Sequence, residues 1–102
     1  MFQGERYLTQ GVNQTIPMSL QMLLWECIDH MDVEKDYLQI FQLSVAENGN
    51  QVICHEQEKP EYQKTYSLAV PFPAIDAKIY VIDDYYADEN KHVATMLLAE
   101  EY

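Results

Sequence analysis

The longest periodic run of apolar positions lies in the first third of the chain. From Pro17 to about Met31, Leu20, Leu23, Leu24, Cys27, Ile28 and Met31 recur at the i, i+3, i+4, i+7 spacing that lines one face of a helix. Asn13-Gln14-Thr15-Ile16-Pro17 suits the start of that helix, because proline lacks the N–H that a first turn leaves unpaired. Upstream, residues 6–12, Arg-Tyr-Leu-Thr-Gln-Gly-Val, carry β-favouring side chains and predict a short strand ending near Gly11.

After the charged turn Asp32–Asp36 the pattern is that of strands. Tyr37–Val45 is rich in β-formers, Glu47-Asn48-Gly49-Asn50 predicts a hairpin turn because Asn and Gly tolerate positive φ, and Gln51–Gln57 pairs back. Pro60 interrupts the next segment, which resumes over Lys64–Val70 with Tyr66, Leu68 and Val70 on one face. Pro71-Phe72-Pro73 is extended. Two further strands, Ala77–Asp83 and His92–Glu100, flank a polar loop over Asp84–Lys91. The expected class is α+β: one amphipathic helix packed on a mostly antiparallel sheet of about five to six strands, in the order β-α-β-β-β-β-β. No repeat, low-complexity tract or long linker divides residues 1–102, so a single domain is expected.

Charge narrows the function classes. Seventeen acidic residues against six basic ones leave a formal charge of −11. Binding nucleic acid takes Lys and Arg to neutralise phosphates, and an anionic membrane surface makes the same demand, so neither is an expected partner. Cationic proteins are attracted instead, although negative charge also simply keeps small proteins soluble. The N-terminus has no basic region followed by an apolar run, and no apolar stretch approaches a membrane span; the expected location is the cytoplasm. Cys27 and Cys54, without CxxC spacing, read as small buried hydrophobes rather than a disulfide.

Candidate chemistry is sparse. Three scattered glycines exclude a nucleotide-binding glycine motif, and neither Gly-x-Ser-x-Gly nor His-Glu-x-x-His occurs. Cys27 with His30 and Cys54 with His55 suggest zinc, but adjacent strand residues point to opposite faces; a surface histidine and a core cysteine account for both pairs. Cys54 with His92 as a nucleophile pair lacks the positive surroundings a thiolate needs. The Asp83–Asn90 stretch gathers four carboxylates without EF-hand spacing and reads as a solvated loop rather than a calcium site. No catalytic residue, metal or cofactor is expected, and the chain is not expected to be an enzyme.

A binding surface is the better prospect. With the core stripe centred on Leu20, Leu24, Cys27 and Met31, Met18, Met22 and Trp25 fall on the opposite side of the helix, close to Asp29. A second apolar face is covered by the chain itself (the Pro71–Pro73 segment), by another protomer in a homodimer, or by a different protein; methionine and tryptophan are common contact residues. Tyr85 and Tyr86 offer another contact point, unless they pack over the sheet edge.

The chain also resembles a family of small acidic proteins from Firmicutes, domain of unknown function nine-sixty, some of whose members are phage-borne. The likeness rests on Arg6-Tyr7-Leu8-Thr9-Gln10-Gly11-Val12, Ile16-Pro17 with Leu24-Trp25, Asp36-Tyr37-Leu38-Gln39, Pro60-Glu61-Tyr62, Ala77–Asp84 and Met96-Leu97-Leu98-Ala99-Glu100-Glu101-Tyr102. It spans nearly the whole chain, with a longer loop at Tyr85–Lys91 than the family pattern implies. The resemblance implies a Gram-positive cytoplasm and supplies no activity. The expected function is a non-enzymatic protein-binding or self-associating module using the outer helix face. The alternative is an acidic, phage-type inhibitor that mimics nucleic acid toward a basic enzyme groove, which requires the acids to line one surface.

Overall fold

A computed structural model describes residues 1–102. The chain runs β1 (Glu5–Leu8), α1 (Gln10–Thr15), α2 (Met18–Asp29), β2 (Leu38–Val45), β3 (Gln51–Gln57), β4 (Tyr62–Leu68), β5 (Ala77–Tyr86) and β6 (Lys91–Leu98), and ends in a 3-10 turn, Ala99–Glu101. The strands form one sheet in the spatial order β1-β6-β5-β2-β3-β4. Only β1 and β6 run parallel; every other neighbouring pair is antiparallel. The α+β class and the six-stranded, mostly antiparallel sheet agree with the sequence. No helix is long and apolar enough to cross a membrane.

Two elements correct the sequence reading. Gly11 and Val12 are helical, not the end of a strand, which makes the order β-α-α-β-β-β-β-β. Thr9 caps the extra helix: its Oγ1 accepts the Val12 N–H at 3.2 Å, and Val12 is carried into the core. A cap and a buried anchor outweigh weak local strand propensity. At the other end of the chain, β5 continues through Asp84, Tyr85 and Tyr86, paired in register with β6 as far as Tyr86↔Lys91. The expected polar loop therefore shrinks to a tight turn over residues 87–90. Smaller shifts place β4 at Tyr62–Leu68 rather than Lys64–Val70, and end β6 at Leu98.

Strand parity divides the sheet into two faces. Toward the helices point Phe41 and Leu43 of β2, Ile53 of β3, Ile79 and Val81 of β5, and Ala94 and Met96 of β6; with Phe2, Val12, Ile16, Leu20, Leu24 and Ile28 they form one buried core. The buried side of α2 carries Leu20, Gln21, Leu24 and Ile28. At roughly 100° per residue this is rotated about 45° from a stripe on Leu20, Leu24, Cys27 and Met31. Gln21 is tolerated there because its Nε2 donates to the Ile16 carbonyl at 2.8 Å. The rotation moves Trp25 to one margin of the core and Leu23 with Cys27 to the other.

Two glycines fit their places. Gly49 takes φ +87° in the β2–β3 turn, where its N–H reaches the Ala46 carbonyl at 2.9 Å. Gly4 lies so close to the His92 carbonyl that any Cβ would overlap it, so β1 docks beside β6 only with glycine there.

Leu24→Ala, which empties part of the fully buried helix face, is expected to lower unfolding free energy by about 2–5 kcal/mol in urea titrations. Met22→Ala, on the solvent side of the same helix, is expected to change it by less than about 0.5 kcal/mol.

Candidate functional site

Helix α2 has two differently finished flanks. On the Trp25 side, the Arg6 guanidinium lies 4.7 Å from the Trp25 ring centroid, pairs with both carboxylate oxygens of Asp29, and donates to the Phe2 carbonyl. That lid leaves Trp25 half-buried against the core, not projecting on the outer face with the two methionines. Met18 and Met22 are 73% and 59% exposed, and nothing in the chain covers them. Phe72, from the segment expected to shield them, packs against the core instead.

The other flank is open. Between α2 and strands β3 and β4 lies a cleft of about 380 Å³, lined by Leu23, Glu26, Cys27, His30, Ile53, Tyr66, Ser67 and Leu68. Five of the eight are apolar, and the volume falls within the range of small-ligand and anchor-residue pockets. Burial, then the nearby Glu26 carboxylate, pushes the Cys27 thiol up to about 11, so it stays protonated and unreactive at neutral pH. His30 Nδ1 lies 2.8 Å from the Glu26 carbonyl. The cleft is thus an apolar slot with a few polar groups and no activated nucleophile. Sequence periodicity placed Leu23 on the buried stripe with Cys27 at its centre, and Tyr66 and Leu68 on one strand face. Only the packing angle of α2 on the sheet leaves a gap between them.

Beneath the helices the sheet is unexpectedly polar. Gln39, Gln51, His55 and Gln57 are buried on the same sheet face as Phe41, Leu43 and Ile53. Gln57 Oε1 accepts from the Asp36 N–H and Gln39 Nε2, and its Nε2 donates to the Glu34 and Pro60 carbonyls. Gln51 similarly holds Ile75, accepting its N–H and donating to its carbonyl. His55 stacks on Phe41 with ring centroids 4.3 Å apart, and its Nε2 lies 2.6 Å from Gln39 Oε1. Since that oxygen only accepts, Nε2 carries the proton, and Nδ1 is buried without a partner. Burial therefore holds the imidazole down at about 4, in its neutral form. The expected surface histidine beside a core cysteine is reversed: His55 faces the core, while half-buried Cys54 points to the other side of the sheet. Cys54 and His92 lie on opposite faces, three strand positions apart, so they form no nucleophile pair. No cluster of three or more His, Cys, Asp or Glu side chains is placed to hold a metal ion.

Tyr85 and Tyr86 are exposed but on a strand, facing opposite sides of the sheet, so they do not form one contact point. The Tyr85 hydroxyl donates to Asn90 Oδ1, and its ring lies against His92, whose Nδ1 pairs with the buried Asp83 carboxylate. Asp83 Oδ1 also accepts the Phe2 N–H, which ties down the N-terminal segment. Topology brings three acidic segments, residues 29–36, 56–61 and 83–89, to the same end of the sheet: Lys59 N donates to Asp36 Oδ2, and Asp83 N to the Tyr37 carbonyl. Eleven of the seventeen acids lie in those segments.

Residues 5–101 match the family described as staphylococcal protein of unknown function, DUF960. The chain belongs to this family. A crystal structure of a protein of unknown function from Enterococcus faecalis shares the fold, with a TM-score of 0.78 at 25% identity, over 97% of this chain and 91% of that one. No curated protein matches the chain significantly. The structural relative shares the architecture, and it and the family are both described as of unknown function.

The neutral His55 makes a pH signature. The unfolded chain takes up a proton near pH 6.5 whereas the folded chain resists it down to about 4, so stability is lost as pH falls through that window. The loss amounts to up to about 3 kcal/mol. Urea midpoints for wild type and His55→Phe across pH 7 to 4 are expected to show the variant with a lower midpoint at pH 7 but a shallower acid slope.

Proposed function

We propose that this protein is a non-enzymatic binding module that engages a protein partner through the outer side of α2. The observation that carries the reading is the open apolar cleft beside Leu23 and Cys27 of α2, a helix that also exposes Met18 and Met22 on its outer side. A slot of this size on a helix with bare methionines suits a partner that inserts one large apolar side chain and spreads across the helix. Methionine adapts its shape to such contacts. Glu26 in the cleft wall and the net charge of −11 favour a partner with basic residues around that anchor. Trp25 supports the site from beneath Arg6 rather than by direct contact. Tyr85 and Tyr86 stand apart from it as separate, smaller contact points.

A second reading is favoured by the gathering of the three acidic segments at one end of the sheet. In it, that end occupies the basic groove of a nucleic-acid enzyme in place of phosphates. The two readings differ in salt dependence, since binding through an apolar anchor keeps most of its strength at high ionic strength and binding through a carboxylate surface does not.

The test is affinity capture from a Gram-positive lysate followed by titration with the purified partner. Met18→Ser/Met22→Ser and Leu23→Gln, each confirmed as folded by circular dichroism, are expected to weaken binding at least about tenfold, while Tyr86→Ser leaves it within about threefold. Binding unchanged by the helix variants, but abolished by salt or displaced by duplex DNA, would transfer the function to the acidic end.

A further inference from the structure

The face of the sheet turned away from the helices carries a second apolar surface. The register places Leu97, Tyr80 and Ile40 side by side across β6, β5 and β2, and Thr95, Ile82 and Leu38 in the next row on the same face. All six are half-buried, and only the terminal Tyr102 ring reaches over from the chain, meeting Tyr80 edge-on at 5.6 Å. Toward the β4 edge the same face turns polar, with Glu56 and Gln63 in one row and Gln42, Cys54 and Thr65 in another. An apolar centre with a polar rim is the anatomy of an interface.

Strand composition points the same way. A strand with one wet face alternates apolar and polar residues, whereas one covered on both faces reads as a continuous apolar run. Ile79-Tyr80-Val81-Ile82 and Met96-Leu97-Leu98, on neighbouring central strands, are such runs. The helices cover one of their faces, and over the other the chain lays only the Tyr102 ring.

We infer that a second copy of this chain covers it, the two sheets packing face to face about a two-fold axis. Charge selects this occupant. Although the chain is at −11, the strand positions of this face nearly balance, with Glu5, Glu56 and Asp84 against Lys78 and Lys91. Two copies therefore meet here with little net charge repulsion between the facing strands. The pattern is also self-complementary. A two-fold axis running across the strands, between the Tyr80 and Ile82 rows, lays each row over the other and sets Lys78 of one copy over Asp84 of its partner, twice by symmetry. Size is sufficient: six strands about 4.8 Å apart and about seven residues long make a plate of roughly 650 Å² per copy, so a pair buries about 1,300 Å², within the range of specific interfaces. This surface is opposite the helix-side cleft, and the inference stands independently of the function proposed for that cleft.

Sedimentation equilibrium of the full chain over about 1 µM to 0.5 mM tests the inference, with three variants at exposed positions and circular dichroism to confirm folding. Wild type is expected to dimerise. Lys78→Asp, which creates one like-charge pair with Asp84 on each side of the axis, is expected to raise the dissociation constant about tenfold or more, and Lys78→Asp/Asp84→Lys to restore it to within about threefold of wild type. Met22→Ser, on the helix side, is expected to leave it unchanged. A wild type that stays monomeric throughout overturns the inference, whatever other protein it captures. So does a dimer that is lost in Met22→Ser, or one indifferent to both charge variants.

Discussion

Six strands need two layers to cover them, and this chain supplies one. With twelve residues in α2 and six in α1, the helices and the flanking segments seal one face of the sheet and leave the other to solvent or to a partner. The packing of Leu20, Leu24 and Ile28 onto Phe41, Ile53, Ile79 and Val81 is the contact on which the rest hangs. It sets the rotation of α2, and that rotation decides which helix margin is closed and which gapes. A different tilt would have buried Leu23 and Cys27 and lifted Trp25 from beneath Arg6. The cleft is therefore a by-product of how one helix settles on one sheet.

Polar groups under the helix carry a second constraint. Glutamines at strand positions 39, 51 and 57 replace apolar side chains without leaving unpaired atoms, because each amide finds backbone groups in a loop that has no regular partner. Gln57 and Gln39 pin the α2–β2 connection, and Gln51 pins the segment leading into β5. These links trade some apolar burial for definition of the loops. Gln57 also holds the acidic segments at residues 29–36 and 56–61 in fixed positions relative to one another. His55 is the exception in this network, with one nitrogen left unpartnered, and its burial keeps it neutral.

Much of the fold was legible in the sequence because local physics specified it. The helix over Pro17–Met31, the Asn-Gly turn at residues 47–50, and five of the six strands follow from periodicity and turn chemistry that do not depend on distant residues. Where local signals were weak they misled. Gln10–Thr15 has no helical period of its own and becomes a helix because Thr9 caps it and Val12 must be buried. Tyr85 and Tyr86 read as a polar loop because the acids around them hide the strand ladder with β6. The location of the apolar helix residues was right and their rotation was not, since periodicity alone leaves the direction of the stripe free by tens of degrees.

The sequence by itself determined the class, the number of strands to within one, the family, and the surplus of negative charge. Those are properties of composition and short-range pattern. Only the tertiary structure decided that Met18 and Met22 are bare while Trp25 is roofed, that His55 is buried and Cys54 is not, and that three acidic segments distant in the chain meet at one end. It also decided that the central strands have an uncovered apolar face. Each of these depends on which strands become neighbours and which way a helix turns, and those choices are settled by the packing of side chains far apart in sequence, which no local window contains.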